Sequence, residues 1–356
     1  MIRYQDSMKI VFLSRRYVPH LGGVEKHLEQ LNHQLLMSPE GHRITVVTEQ
    51  DSQTEPRSEI QQAIHIRRIE LPHQKTDKLT IWRWLFWHRQ LLFSTDIIHI
   101  HDVFFWILPL YPWLKLLNKK IFITFHGYEG PGNPSWRQRT WHQLAAALTN
   151  GNICIGGFHQ KWYGVTPTIT SFGGVEIARQ KVKHRVNHKL IHILYLGRLS
   201  DDLGIMKYLA AIKVIAARHS VRLDVYGDGP NRQAAQSFVS KHRLPVTFCG
   251  YIPSKNIKWQ TYDLAFVSGY LSILEAMIAG LPIIAQYHAP IKYDYLKNTP
   301  FSNWIEITGS TEEIIASWQR ATSPKFQHTV KQAQTWANKQ TWQKLANQYL
   351  ELWQKN

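Results

Sequence analysis

The sequence predicts an α/β protein made of two domains, each built on a parallel sheet. Its 356 residues are enough for two hydrophobic cores of ordinary size. Apolar runs typical of buried strands alternate with helical patterns, first at residues 9–49 and again at residues 265–285. Strands joined by helices lie parallel in an open sheet, and ligands bind at the carboxyl ends of such strands. We therefore expect functional residues where the predicted strands end.

Composition limits the class of protein further. The chain is 44% hydrophobic and 19% charged, which is typical of a folded protein. It carries 42 Lys and Arg against 25 Asp and Glu, a formal charge of +17. This excess favours anionic partners, namely nucleotide diphosphates, acidic lipid headgroups or nucleic acid. The two cysteines, Cys154 and Cys249, lack metal-ligand spacing and are predicted to be reduced. No stretch is apolar enough for a signal peptide or a membrane span, so we expect a cytoplasmic protein.

The first strand, Lys9–Leu13, leads through Gly22 and Gly23 into an amphipathic helix. Adjacent glycines at a helix N-terminus let the backbone approach an anionic ligand closely, although a Gly-Gly pair is also common in simple turns. Two later strands, 97–101 and 121–127, bring His101 and His126 to the carboxyl edge of the same sheet. His126 is the stronger candidate for a site, and a purely structural histidine is the alternative.

Aromatic residues are concentrated between these strands. The stretch 79–94 interleaves tryptophan and phenylalanine with arginine and histidine in a helical pattern, and residues 103–120 form a second aromatic segment. Pro109 and Pro112 argue against a membrane-spanning helix there. One interpretation is burial in the core. The other is a helix that lies on an anionic membrane surface.

The second domain follows residues 179–189, which are polar, basic and predicted to be a linker. Strand 191–196 delivers Arg198 to the sheet edge, where a guanidinium can hold a diphosphate through two parallel hydrogen bonds. The Gly227–Pro230 turn is interpreted as a tight turn. The chain ends in an amphipathic helix with Trp342, Leu345, Tyr349 and Leu352 on related faces.

The most informative stretch is 265–285, AFVSGYLSILEAMIAGLPIIA. Ser268 and Gly269 form the turn after the strand, and the helix that follows offers free N–H groups and a positive dipole end to a phosphate. Glu275 lies about one turn inside that helix, where it can accept hydrogen bonds from a ribose diol. We interpret the stretch as a nucleotide-sugar site. The alternative is that Glu275 only caps or pairs on a surface helix.

The segment LEAMIAGLPIIA resembles the core of the retaining glycosyltransferases of family four. That resemblance implies the GT-B fold, with two facing Rossmann-like domains and a C-terminal helix that crosses back to the first domain. It implies an N-terminal acceptor-side domain at 1–175, a nucleotide-sugar-binding domain at 176–335 and the returning helix at 336–356. It also implies that the enzyme retains the anomeric configuration of the transferred sugar.

The same resemblance assigns roles to individual residues. His126 would lie near the transferred sugar and, with Arg198, would serve catalysis. Donor-binding residues would be Gly22, Gly23, Arg198, Lys207, Gly250, Tyr251, Ser268, Gly269, Tyr270, Leu271, Ser272 and Glu275. Two positions depart from the family pattern. Val267 stands where the first of two glutamates is expected, and Leu203 stands where a lysine is expected. Lys207, one helical turn later, is the predicted substitute for that lysine.

The expected activity is transfer of a sugar from a UDP- or GDP-linked donor to a glycan or lipid-linked acceptor, without a metal ion or cofactor. Peripheral association with the inner face of an anionic membrane is expected, and nucleic acid is not. The departures at Val267 and Leu203 favour one rival, an inactive glycosyltransferase-like scaffold subunit. Two further rivals are another enzyme on the same fold, such as an epimerase or phosphorylase, and a nucleic-acid binder supported only by charge.

Overall fold

The computed structural model describes residues 7–72, 74, 76–130, 132–177 and 190–355. The chain divides into two compact units. Unit 1 comprises Met1–Tyr128, Pro134–Ser171 and Trp342–Asn356, and unit 2 comprises Glu129–Asn133 and Phe172–Thr341. The linker predicted at residues 179–189 lies outside the described residues.

The elements up to Ser171 follow a largely alternating βα order. They are β1 (Lys9–Ser14), α1 (Gly23–Leu36), β2 (Arg43–Glu49), β3 (Ser58–Gln61), β4 (Ile64–Ile69), α2 (Asp77–Trp87), α3 (Gln90–Phe93), β5 (Ile97–His101), α4 (Tyr111–Leu116), β6 (Lys120–Phe125), α5 (Trp136–Leu148), β7 (Gly151–Ile155), α6 (Phe158–Tyr163) and β8 (Ile169–Ser171).

The second half of the chain continues in the same order. Its elements are β9 (Ile191–Leu196), α7 (Ile205–Ala216), β10 (Val221–Tyr226), α8 (Arg232–His242), β11 (Val246–Gly250), β12 (Leu264–Phe266), α9 (Tyr270–Ile278), β13 (Ile283–Gln286), α10 (Pro290–Lys297), β14 (Glu306–Thr308), α11 (Thr311–Ala321), α12 (Phe326–Ala337) and α13 (Trp342–Lys355).

The sheet of unit 1 has the strand order β3-β4-β2-β1-β5-β6-β7-β8. All neighbours pair in parallel except β3 and β4, which form an antiparallel edge. The central strands are buried on both faces, which is typical of a parallel sheet covered by helices. The chain order reverses between β1 and β5, so the loops after these strands diverge there and leave room for a ligand.

The C-terminal helix belongs to unit 1. Its apolar stripe is buried, and α13 packs against α1 and β8. The predicted return of this helix to the first domain is therefore confirmed. The aromatic stretch 79–94 differs from its prediction, because the structure ends α2 at Trp87 and starts the short helix α3 at Gln90.

The sheet of unit 2 has the strand order β11-β10-β9-β12-β13-β14, and every pair is parallel. Here the chain order reverses between β9 and β12. The loop that carries Arg198 and the Ser268–Gly269 turn thus leave the sheet from adjacent strands. In the described ranges, no helix is long and apolar enough to cross a bilayer. Cys154 and Cys249 are both free thiols.

Candidate donor and sugar sites

The Ser268–Gly269 turn is held in place by residues from neighbouring strands and helices. The Gln286 N–H donates to Ser268 Oγ over 2.9 Å, and Tyr208 OH lies 3.0 Å from the same oxygen. The Tyr270 N–H, the first of α9, donates to the Tyr295 hydroxyl over 3.0 Å. The remaining N–H groups of this first turn belong to Leu271 and Ser272, which have no intrahelical acceptor in an α-helix. The turn therefore presents a rigid, positively polarised helix end.

Glu275 connects α9 to the loop after β11. Its Oε1 accepts a hydrogen bond from Ser254 Oγ over 2.6 Å. The same loop begins at Gly250, in the left-handed region at φ +71°, and continues with Tyr251, which is 52% exposed. The structure therefore links Glu275, the predicted ribose-binding carboxylate, to the loop that carries the predicted donor-binding residues Gly250 and Tyr251.

Arg198 follows β9 and carries a well-exposed guanidinium. Its Nη2 donates to Asp202 Oδ2 over 3.0 Å, and its Nε donates to Ser200 Oγ over 3.2 Å. Burial acts to raise the pKa of Asp202, but the Ser200 hydrogen bond and the Arg198 charge outweigh it and lower that pKa below its ordinary value. Asp202 stays ionised at neutral pH and orients Arg198 at the sheet edge.

The Gly227–Pro230 turn supports the Arg198 loop. Gly227 has φ +134°, and a Cβ there would lie 2.0 Å from the Gly197 carbonyl oxygen. The Leu199 N–H donates to the Asp228 carbonyl over 2.9 Å. Only glycine permits this approach of two backbones, so the turn fixes the position of Arg198.

The two lysines near this edge differ in their surroundings. Lys207 Nζ donates to the Gly309 carbonyl over 2.6 Å, next to β14. Lys292, on α10, was not predicted as a site residue. It is 3% exposed, and its Nζ donates to the Ser268 carbonyl over 2.6 Å. The parallel strand β13 places α10 beside the Ser268–Gly269 turn, a proximity that no local sequence motif signals.

In unit 1, Gly22 and Gly23 stand at the start of α1. A Cβ at Gly22 would lie 2.2 Å from Glu25 Oε2, so glycine makes room for the Glu25 side chain. At Gly23 the equivalent Cβ would have no atom of the described residues within 4 Å. Gly23 therefore leaves the N-terminal end of α1 open to an approaching group.

Four histidines from α1, β5 and the end of β6 cluster at the same edge of this sheet. His101 Nδ1 lies 2.6 Å from His126 Nε2, and the His27 ring stands edge-on to the His126 ring at 4.7 Å. Burial lowers the pKa of His27 to about 3 and the pKa values of His99, His101 and His126 well below the ordinary value. The cluster is therefore neutral at physiological pH.

Hydrogen bonds from α13 fix the protonation pattern beneath His126. Trp353 Nε1, which only donates, lies 2.9 Å from His99 Nδ1, so His99 carries its proton on Nε2 and donates to Thr124 Oγ1 over 2.8 Å. The Tyr349 hydroxyl lies 2.8 Å from Thr124 Oγ1 and 2.9 Å from His27 Nε2. The C-terminal helix thus fixes the side-chain network on which the sugar-site candidate rests.

His101 Nε2 is buried and has no hydrogen-bond partner among the described residues. A buried ring nitrogen without a partner costs less free energy as a bare nitrogen than as an N–H donor. We therefore place the His101 proton on Nδ1, facing His126. A neutral His126 then carries its own proton on Nδ1, as a hydrogen-bond donor. Within the described part of the chain, no group of three or more His, Cys, Asp or Glu residues is arranged to hold a metal ion.

An aromatic and basic surface covers another part of unit 1. Ile81 and Leu85 of α2 are buried, whereas Trp87 is 72% exposed. The other large apolar side chains exposed on α2, on α4 and just after α4 are Leu79, Phe86, Trp113, Leu116 and Leu117. The burial interpretation of the aromatic helix therefore holds for one face of α2, and the other face is exposed to solvent. Alongside α2 runs a groove whose lining includes Arg67, Arg83 and Trp87.

Two open parallel sheets, each with a helix N-terminus and polar side chains at its switch point, define a ligand-binding α/β protein. Family models identify it further. Residues 21–162 match the model described as Glycosyltransferase Family 4, and residues 191–296 match Glycosyl transferases group 1. Together the two matches span more than half of the chain, which therefore belongs to this glycosyltransferase family.

Solved structures agree on the fold. HepE of Anabaena, in complex with UDP and glucose, has a TM-score of 0.68 at 15% identity, covering 97% of this chain and 98% of that one. WaaG, a glycosyltransferase involved in lipopolysaccharide biosynthesis, has a TM-score of 0.62 at 15% identity, covering 96% and 98%. The catalytic domain of starch synthase IV from Arabidopsis thaliana, bound to ADP and acarbose, has a TM-score of 0.68 at 14% identity, covering 98% and 99%. The predicted GT-B fold is thus confirmed. No curated protein sequence matches the chain significantly.

Proposed function

We propose that the protein is a retaining glycosyltransferase that transfers a sugar from a UDP- or GDP-linked donor to a glycan or lipid-linked acceptor at the cytoplasmic membrane surface, without a metal ion. The observation that carries the proposal is the edge of the unit 2 sheet. There Arg198, the N-terminus of α9 and Glu275 supply groups suited to a diphosphate and a ribose.

The departing nucleoside diphosphate carries negative charge that the site must stabilise. The Arg198 guanidinium and the N–H groups of Leu271 and Ser272 provide fixed positive charge and dipoles for this purpose. Glu275 accepts from a ribose hydroxyl, as it accepts from Ser254 in the structure. These groups make a metal ion unnecessary, so added EDTA should leave activity unchanged.

Retention follows if the acceptor attacks from the face that the diphosphate leaves and a donor phosphate oxygen takes the acceptor proton. Val267, buried where the family pattern has a glutamate, provides no carboxylate for a covalent intermediate. The neutral His126 donates from Nδ1 to an oxygen of the transferred sugar. His101 and His27 hold its ring in place.

A thermal-shift panel with UDP, GDP, ADP and their sugar conjugates tests the donor site. A nucleotide at a hundred times its dissociation constant adds about 2.7 kcal/mol to the free energy of unfolding. One nucleotide should stabilise the wild type and stabilise Arg198→Ala and Glu275→Ala much less. Arg218→Ala, at an exposed arginine after α7, is the matched control and should behave as the wild type.

If no nucleotide stabilises the wild type, the donor-site proposal fails and the inactive scaffold becomes the better account. Val267 and Leu203 favour that second candidate, because they remove a carboxylate and a cation that the family pattern has. Binding of a nucleotide without any turnover of its sugar conjugate would also support the scaffold.

The membrane part of the proposal rests on the aromatic and basic surface of unit 1. Indole and phenyl rings at headgroup depth, beside arginines, suit an interface of anionic phospholipids. Arg67 and Arg83 in the adjoining groove add positive charge, for which the described residues include no salt-bridge partner. An acceptor carried by such a membrane would be concentrated near the enzyme.

Flotation with phosphatidylserine-containing and purely phosphatidylcholine vesicles tests this surface. The wild type should float with the anionic vesicles at low salt. Trp87→Ser combined with Leu116→Ser should reduce flotation. Met37→Ser, which removes a 70% exposed apolar side chain after α1, should not. Absence of wild-type flotation at low salt would contradict the membrane proposal and leave the donor site unaffected.

A further inference from the structure

The donor edge of unit 2 contains a buried cation that the family pattern does not predict. Lys292 lies in the first turn of α10, and only 3% of its surface is exposed. Its Nζ donates to the Ser268 carbonyl over 2.6 Å and stands 3.9 Å from the centre of the Tyr295 ring. A buried ammonium is costly, and a lysine is seldom retained in a core for packing alone.

The strand order explains why this ammonium lies next to the Ser268–Gly269 turn, the proposed binding site of the donor diphosphate. β12 lies between β9 and β13, so the loops carrying Arg198 and Ser268 and the loop that leads into α10 leave the sheet from three consecutive strands. All three strands are parallel, and their carboxyl ends therefore meet at one edge. Lys292 contacts Ser268, which immediately precedes the N-cap residue of the helix to which the diphosphate is assigned.

We propose that Lys292 supplies the second positive charge of the donor diphosphate site, in place of the cation missing at Leu203. This inference rests on the proposed donor site and deepens it. Lys292 acts as a positioning residue. Its ammonium group holds the Ser268 carbonyl and so lies next to the turn whose N–H groups bind the phosphate. Lys207 is less suited to the role, because its Nζ is bound to the Gly309 carbonyl beside β14.

The charged and titratable groups around Lys292 come from each element packed against it. Asp202 and Arg198 lie on the loop after β9, His288 on the loop after β13, and Tyr270 and Tyr295 on α9 and α10. The pKa of Lys292 is lowered to about 7, chiefly by burial; the Asp202 charge opposes this shift and the Arg198 charge adds to it. An added diphosphate attracts a proton to this amine, so its pKa rises when the anion binds.

Binding of the anion should be coupled to protonation of Lys292. A lysine with a purely structural role would show no such coupling. At pH 8 free Lys292 is mostly neutral, whereas the nucleotide-bound form is mostly protonated. Binding of UDP should therefore take up between about half and one proton per site. At pH 6, Lys292 is already charged in the free protein, so its contribution to the uptake should vanish. Calorimetric titration in two buffers of different ionisation enthalpy measures the uptake.

Substitutions of Lys292 test whether this residue takes up the proton when UDP binds. Lys292→Met keeps the length of the side chain without its charge. It should weaken UDP binding roughly tenfold or more and abolish the uptake at pH 8. Lys292→Arg, if it folds, should bind UDP without the uptake, because arginine stays charged. Lys297→Met, at an exposed lysine on the same helix, is the matched control.

The possible outcomes separate this inference from the donor-site proposal. If wild-type protein binds none of UDP, GDP or ADP, the donor site itself is wrong and the inference falls with it. If UDP binds without proton uptake at pH 8, or if Lys292→Met binds as tightly as Lys297→Met, the donor site stands and the role of Lys292 is refuted. The wild-type uptake decides the question even if the Lys292 variants do not fold.

Discussion

His27 should make the stability of the protein depend on pH. Its ring is 2% exposed, and burial lowers its pKa to about 3. The unfolded chain binds a proton at this residue near pH 6.5, so stability is lost as pH falls from about 6.5 towards 3. From pH 7 to pH 5 the loss from His27 alone amounts to about 2 kcal/mol. His99, His101 and His126 act in the same direction.

Urea unfolding at pH 7 and pH 5 measures this loss for the wild type and for His27→Gln. Glutamine can keep a hydrogen bond to Tyr349 but does not titrate, so the variant should lose about 2 kcal/mol less than the wild type between the two pH values. His33→Gln, at an exposed histidine of the same helix, is the control and should follow the wild type. Equal pH dependence in His27→Gln and wild type would refute the assignment of a buried, neutral His27.

Two further substitutions test residues that hold the candidate sites in position. Gly227→Ala should displace the Arg198 loop, because the backbone has φ +134° and the new Cβ would overlap the Gly197 carbonyl. It should weaken nucleotide binding, as measured by calorimetric titration. Tyr349→Phe removes a buried hydroxyl that lies within hydrogen-bond distance of Thr124 and His27, and it should cost about 1–3 kcal/mol of stability in urea unfolding.

Matched controls accompany both substitutions. Gly132→Ala adds a Cβ with no atom of the described residues within 4 Å and should leave nucleotide binding unchanged. Tyr293→Phe removes the hydroxyl of a 39% exposed tyrosine and should cost little. Unchanged binding in Gly227→Ala, or a Tyr349→Phe variant as stable as Tyr293→Phe, would contradict the respective role.

Local patterns were sufficient to predict the Ser268–Gly269 turn and much of the fold. The strand before the Ser268–Gly269 turn and the helix after it both appear, as β12 and α9, since each depends on neighbours within a few residues. Gly280 adopts φ +70°, as a glycine after a helix commonly does. The amphipathic pattern of α13 likewise predicted its buried face.

The features that were missed depend on distant parts of the chain. Lys292 gains its place from the pairing of β13 beside β12, which no short motif encodes. His27 meets Tyr349 across 322 residues of sequence, so the link between the histidine cluster and α13 was not visible either. The break between α2 and α3 falls where the His88 ring stacks on Trp84, a contact that periodicity does not predict.

We propose that the unit 2 edge binds a nucleoside-diphosphate sugar and that the protein turns it over. The most direct test follows the nucleotide sugar selected by the thermal-shift panel by phosphorus and proton NMR, with EDTA and a membrane extract as the source of acceptor. We expect release of the nucleoside diphosphate by the wild type, retention of the anomeric configuration in the product, and little release by Arg198→Ala. Binding without release by the wild type, or equal release by Arg198→Ala, would contradict it.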